Sequence, residues 1–531
     1  MDPLVRIEAA MTWNPSLLVS SRLLPALLVV LAATGCTDEQ IVYRDREPFN
    51  PPADAAAGFL GYYTPATRQT TCGNCHAEFQ SAWRQTRHAN AFRSVDQNPN
   101  KQESCYSCHT VTSRGNGVTA PAGWDKVKDS TYRDVQCENC HGPGLEHVRG
   151  VNRGQLIRPL ARIAMQSTST PNVNPAATCA ACHSGAHQPF AEEWTASGHA
   201  LPPRSTSATC TPCHESRGAL AAWGVTANYH EKASTENLAT ATCAVCHAPH
   251  GSSNSRQLRW PISTSDPAQN LCMKCHNRRT VVTTGNPRGN QPHAPQGAVL
   301  LGEAGYRPAG FEFNEEIMSS HASSRNPRLC AGCHVDRFQV TDPATGNLVF
   351  QATGHLFLAV PCVDAQGRPT ASQDCARQPP ARQFRACATA GCHATPQAAA
   401  TVWATTRAEI ELFASTIWND LNRNEVIDLP PTDLGYLPTI RQTRPSEINP
   451  NDARISAADG AEFNMRLCGE NRYALGDNSR GVHNPFLCKQ LLIANILELR
   501  QVYGLPAPPA EVQQLLQATM LRLGAREVAD R

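Results

Sequence analysis

Cys137-Glu138-Asn139-Cys140-His141, followed directly by Gly142-Pro143-Gly144-Leu145-Glu146-His147, is the stretch on which the reading of this chain turns. Two thiols stand two residues apart and an imidazole follows the second, all within one turn of chain. The same C-x-x-C-H pattern recurs at Cys72/Cys75/His76, Cys105/Cys108/His109, Cys179/Cys182/His183, Cys210/Cys213/His214, Cys243/Cys246/His247, Cys272/Cys275/His276 and Cys330/Cys333/His334. Scattering the 23 Cys and 19 His at random over 531 residues would give roughly 0.04 matches; eight occur. A stretched relative, Cys387-Ala388-Thr389-Ala390-Gly391-Cys392-His393, places four residues between its thiols.

The rest of the composition gives these motifs their weight. Aromatic residues make up only 6% of the chain, while Pro and Gly number 40 and 34, so several large hydrocarbon cores are not available. Something other than side chains must fill the interior. In C-x-x-C-H the thiols add across the vinyl groups of a haem and the histidine takes one axial position on the iron. A cysteine pair with a histidine also suits zinc. Eight repeats, each with histidine immediately after the second cysteine, favour haem. The small residues of the stretched motif let the extra backbone bulge outward, and about nine covalent haems c are expected.

Nine irons need nine sixth ligands. Nine of the 19 His belong to motifs, and ten remain: His88, His147, His187, His199, His230, His250, His293, His321, His355 and His483. All but His483, which lies outside the motif region in Gly481-Val482-His483-Asn484-Pro485-Phe486, are taken as distal ligands. His187 and His250 follow their own motifs too closely to reach around the same haem and should serve neighbours. Trp83-x4-His88 and Trp194-x4-His199 share a local pattern that presents histidine toward a porphyrin with tryptophan alongside.

Residues 1–35 read as an export signal: Arg22 flanks an apolar stretch from Leu23 to Ala33, too short to span a bilayer. Ala33-Thr34-Gly35-Cys36 resembles a bacterial lipobox, which makes Cys36 the lipidation site. Residues 36–70 then form a Pro- and Ala-rich tether, 71–395 the motif-bearing domain, and 396–531 a helical cap without motifs. Helical periodicity marks Ala398 to Leu421, Pro485 to Val502 and Pro509 to Leu523, and a hairpin is expected within Phe338 to Phe350. Cys362 with Cys375, and Cys468 with Cys488, are expected disulfides. The motif spacing repeats, but the intervening sequences show little self-similarity.

Cys137 to His147, Cys243 to Gly251 and Cys330 to Cys362 resemble bacterial multihaem c-type cytochromes of the doubled C-x-x-C-H kind, as does the segment around His483. The resemblance implies a mostly α and irregular fold, with short helices and loops wrapped around a stacked haem chain and little β. It implies electron relay through bis-histidine haems in anaerobic or extracellular respiration, with redox proteins or an extracellular acceptor as partners. Some relatives of this kind are reductases or oxidases of small nitrogen or sulfur compounds, and some polymerise into filaments. The absence of C-x-x-C-K and the supply of spare histidines favour an electron carrier. A formal net charge of +2 gives no footprint for nucleic acid. The 41 Arg against 6 Lys suit bidentate contact with haem propionates. The lipid anchor would place the protein at the outer membrane, facing periplasm or cell surface.

Overall fold

The computed structural model describes residues 58–523 apart from 117, 153–178, 202–206, 226–239, 287, 314–316, 378, 390–391, 450 and 470–475. The export segment, Cys36, most of the tether and His230 therefore lie outside the described residues.

The attachment motifs fold into single helical turns. The backbone N–H of the motif histidine bonds the carbonyl of the first cysteine in His76 to Cys72 (3.0 Å), His183 to Cys179 (2.9 Å), His214 to Cys210 (3.0 Å), His247 to Cys243 (2.9 Å) and His276 to Cys272 (3.0 Å). Cys137–His141 and Cys330–His334 are short helices of the same kind. The stretched motif closes in the same sense: His393 N–H donates to the Cys387 carbonyl at 3.1 Å despite its two extra residues.

Between motifs run short helices, among them α1 (Ala77–Trp83), α2 (Leu145–Asn152), α3 (Phe190–Ala196) and α4 (Gln296–Leu301). The strands form three separate antiparallel ladders: β1 (Tyr62–Thr64) with β2 (Gln69–Thr70), β3 (Phe338–Thr341) with β4 (Leu348–Ala352), and β5 (Cys362–Val363) with β6 (Pro369–Thr370). The second is the expected hairpin, whose turn is held by the Asp342 carboxylate accepting from Ala344 and Thr345 N–H. The fold is thus mostly α and irregular. Its apolar contacts in this part are small separate clusters, such as Phe59, Val111, Trp124 and Tyr132, or Ala219, Leu220, Ala244 and Val245.

The C-terminal part is built differently. Helices α5 (Pro396–Ile417), α6 (Tyr436–Thr443), α7 (Ala457–Cys468), α8 (Pro485–Tyr503) and α9 (Ala510–Leu523) share one core that includes Phe413, Leu437, Phe463, Leu491 and Ile496. Thr395 and Asn484 cap α5 and α8, each with proline at the first helical position, and Gly504 ends α8 in the left-handed region. Helix α7 escaped the sequence reading for a physical reason. Residues 458–468 are buried without exception, and the polar side chains Asp459, Glu462, Asn464 and Arg466 are paired inside the protein, so its polar stripe does not mark a solvent-facing side. The core also takes Ala298 and Val299 from α4, well before the expected boundary at 395.

Cys362 and Cys375 form the expected disulfide. Cys468 and Cys488 do not: they are free, buried thiols in hydrogen-bonding contact between α7 and α8. No described helix is long and apolar enough to cross a membrane. Removing the fully buried Phe463 ring should leave a cavity in the helical core. Phe463→Ala is expected to cost about 3–5 kcal/mol in denaturant unfolding followed by far-ultraviolet circular dichroism.

Candidate metal centres

Eight of the nine motif histidines face a second imidazole supplied by another part of the chain. The ring-centroid separations are His76–His147 6.3 Å, His183–His88 6.1 Å, His141–His250 6.0 Å and His276–His199 6.2 Å. The remaining four are His214–His293 5.8 Å, His247–His355 6.4 Å, His393–His321 6.4 Å and His334–His483 6.0 Å. Two imidazoles on opposite sides of one metal, each bonded at about 2.0 Å with its centroid about 1.2 Å behind the nitrogen, put their centroids about 6.3 Å apart. The pairs are set for that geometry.

Several rings are oriented by their Nδ1 atoms, which leaves Nε2 free to take a metal. Nδ1 of His109 meets Ala91 O at 2.9 Å, that of His247 meets Arg256 O at 2.9 Å, that of His334 meets Phe357 O at 2.9 Å, and that of His321 meets Val482 O at 3.0 Å. Aromatic rings wedge others in place: Phe79 lies 4.7 Å from His250, Phe190 4.9 Å from His355, and Phe357 4.4 Å from His199. Gly251, at φ +119°, lets the chain after His250 pass α1, because a Cβ there would stand 2.6 Å from Ala82 O.

Burial, then the facing imidazole, pushes His88, His199 and His250 down to about 4. Burial also brings His293, His334 and His355 to about 4, with neighbouring positive groups adding to it. These rings are held neutral, the form that binds a metal. His483 goes the other way. Burial works against its protonation, but the Asp477 carboxylate outweighs it and raises the value. Asp477 Oδ1 lies 2.5 Å from His483 Nδ1 and is itself buried, braced by Ser479.

His483 is the ligand candidate that sequence reasoning set aside, and it stands opposite His334. His109 and His187 are the two described members of the candidate set for which no facing imidazole is found; His187 is exposed.

The motif thiols do not close around their own histidines. Among the described residues no three His, Cys, Asp or Glu side chains converge into a metal cage. Instead most of the motifs border one continuous cavity of about 4150 Å³. Its wall near Cys387 and His393 carries Arg382 and Arg407, whose Nε atoms are buried without a partner and which lie over Trp403. Orphaned guanidinium donors beside an apolar cavity fit a planar ring that bears carboxylates.

The first motif and the first cysteine of the third, Cys137, lie off this cavity, and Cys75 is the most open of their thiols. It is exposed and does not border the cavity, so its place as a haem-binding thiol rests on motif spacing alone. The cause is its position in the first motif. The 3-10 turn Cys72–Asn74 packs its Cys72 side on Cys137 of a later motif, while the chain turns away into α1 directly after His76. Cys140 and Cys392 are also exposed, but both lie on the cavity wall.

Residues 71–142 match the family model of cytochrome c554 and c-prime, and residues 236–280 match that of the doubled CXXCH motif. The C-type polyheme cytochrome OmcB of Geobacter sulfurreducens is 25% identical over 297 residues, covering 50% of this chain and 35% of that protein. The multiheme cytochrome MtrA of Shewanella baltica is 26% identical over 281 residues, covering 48% of this chain and 73% of that protein. This chain therefore spans about a third of the length of OmcB. No solved structure matches it.

The chain is a multihaem c-type cytochrome. Its paired thiols would carry the porphyrins of this cytochrome, and the facing imidazoles would hold the irons. An iron held by His483 would feel the Asp477 carboxylate through the ring, whose partial imidazolate character would favour ferric over ferrous iron. Asp477→Asn is expected to move one midpoint upward by roughly 60 mV, the one-electron equivalent of a tenfold change. Optical redox titration with electron paramagnetic resonance checks this, and the remaining midpoints should stay in place.

Proposed function

We propose that this cytochrome relays electrons through nine haems, each iron closed on both faces by imidazole. The observation that carries the reading is the set of eight facing histidine pairs at 5.8–6.4 Å. Haem c supplies one-electron exchange between ferric and ferrous iron. The chain's own residues then have three tasks. The cysteines fix the porphyrin edges, the distal histidines hold the irons low-spin, and the wall around them limits water.

The distal assignments follow the pairs: His147, His88, His250, His199, His293, His355, His321 and His483 opposite His76, His183, His141, His276, His214, His247, His393 and His334. His109 is assigned by analogy. His293 faces His214 and follows the His276 motif, whose Cys275 thiol bonds Cys213. In the same way Cys108 bonds Cys182, and His187 follows the His183 motif. His187 is therefore the ligand proposed for His109, and His230 is left over. The stretched motif counts as a ninth site because His393 closes on Cys387 and faces His321.

Iron closed by two strong ligands exchanges electrons without binding a substrate, which favours relay over reduction or oxidation of a small nitrogen or sulfur compound. The names of the relatives, a polyheme and a multiheme cytochrome, agree with this. We further propose residues 1–35 as an export signal, lipidation at Cys36, residues 36–70 as a tether and residues 396–531 as a helical cap that presents its own His483 to His334. Exchange with redox proteins or an extracellular acceptor at the outer membrane follows.

Pyridine haemochrome analysis of the matured protein should give nine haems per chain, with low-spin ferric spectra throughout. His187→Ala is expected to turn one iron in nine high-spin, and His230→Ala none. Eight haems with free thiols at Cys387 and Cys392 would remove the stretched motif. A high-spin iron in the native protein together with turnover of nitrite or hydroxylamine would overturn the relay.

A further inference from the structure

Helix α5 begins three residues after His393 and serves two interiors along its length. Ala399, Val402, Trp403, Thr406 and Arg407 recur at helical spacing and border the large cavity. Further along, Ile410 and Phe413 enter the helical core instead. At the near end of the cavity face, Ala399 packs with Phe384, Trp403 and Cys387, the first thiol of the stretched motif. At its far end stands Arg407. The eight residues of helix from Ala399 to Arg407 rise about 12 Å. That is of the order of the span from the thioether edge of a porphyrin to the carboxylates on its opposite edge.

Trp403 carries two guanidinium groups, Arg407 at 4.4 Å and Arg382 at 5.9 Å from its ring centroid. Arg382 is gripped on both sides of the disulfide loop. Its Nη1 donates to Val360 O at 2.9 Å and its Nη2 to Gln373 O at 2.7 Å, and Cys362 and Cys375 close the loop between them. The side chain is 8% exposed, and its Nε has no partner. Nε of Arg407 is also buried and unpartnered, while its Nη1 makes one long bond, to Ser479 O at 3.4 Å. Burial, then the neighbouring arginines, pushes Arg407 down to about 10.

The cations lack a counter-charge. Glu411 acts on Arg407 from a distance and pairs with Arg480 instead, at 3.4 Å. Eleven arginines border the cavity, and Asp477 is its one carboxylate among the described residues. Asp477 is itself taken up by His483 and Ser479. Buried cations on one indole without a carboxylate against them call for an anion from outside the polypeptide.

We propose that this face of α5 is the bed of the haem at His393, with Arg407 binding a propionate of that haem and Arg382 adding its charge across Trp403. This rests on the reading above that the stretched motif carries a porphyrin. A cation held beside the propionates favours ferrous iron, because the added electron brings negative charge. Asp477 acts in the opposite sense through His483. The sites at His393 and His334, both joined to residues 482 and 483, are thereby pulled apart in potential. The His393 site is the one that draws an electron: its iron goes from ferric to ferrous as a neighbouring haem goes from ferrous to ferric.

Optical redox titration of the matured full chain tests this. Cys387→Ser combined with Cys392→Ser removes one haem and so marks its midpoint. Arg407→Gln should lower that midpoint by roughly 60 mV, the one-electron equivalent of a tenfold change. Arg382→Gln should lower the same midpoint by less, and Arg407→Lys, which keeps the charge, should restore most of it. A crystal structure of the unaltered, matured protein gives a reading that needs no variant: a propionate oxygen of this haem should lie about 3 Å from the Arg407 guanidinium. An unchanged midpoint in Arg407→Gln at full haem content, a shift at another haem, or an Arg407 that meets no propionate of this haem would overturn the proposal and leave the nine-haem reading standing. A haem content of eight, unaltered when both thiols are removed, would overturn both.

Discussion

The constraint on which this structure depends is the holding of two imidazoles, from segments far apart in sequence, at the separation that one metal ion spans. His76 meets His147, His141 meets His250 and His334 meets His483, so each centre would staple together segments 71, 109 and 149 residues apart in sequence. Where the apolar clusters are as small as Tyr62, Trp83 and Ala89, side-chain burial contributes modestly. Covalent porphyrins, ligated as proposed between distant segments, would replace the missing interior. Closing such long loops through metal bonds removes conformational freedom from the unfolded chain much as disulfides do.

The motif region is braced locally by polar groups that only burial makes decisive. Glu138, inside the third motif, is buried, and its carboxylate accepts from Leu60, Gly61 and Gly144 N–H at 2.7–2.9 Å. Burial pushes it up to about 7 against those three donations. It fixes the start of the described chain against the His141 turn. Glu193 plays a similar part further along, accepting from Thr353 and His355 N–H and so placing His355 opposite His247.

The C-terminal helices supply what the motif region lacks, a conventional apolar core, and they pass its rigidity to two centres. The segment leading into α8 presents His483 to His334 and offers Val482 O to His321 Nδ1. Asn484, next in line, caps α8 and also donates to Val299 O and Ile317 O. One short segment therefore ties the helical core to the end of the motif series, and Asp477 tunes it.

The haem c chemistry and the mostly irregular α fold were legible in the sequence because thioether attachment demands fixed residues at fixed short spacing. Counting gave a pool of spare histidines, and eight histidines outside the motifs do face motif histidines in the fold. Which histidine serves which motif was not, because ligation joins segments tens of residues apart and no local pattern encodes a partner. His483 was set aside for lying outside the motif region, although the fold carries it back to His334. Identical spacing also hid the difference between Cys75, left exposed at the first motif, and its counterparts on the cavity wall, because exposure depends on what packs over a turn. Helix α7 was hidden by being buried all round, and the Cys468–Cys488 pair shows that two cysteines placed near each other in a core need not be bonded. Local spacing determined the chemistry at each site, while tertiary contact alone decided how the sites are paired and ordered, because the distances that matter run through space rather than along the chain.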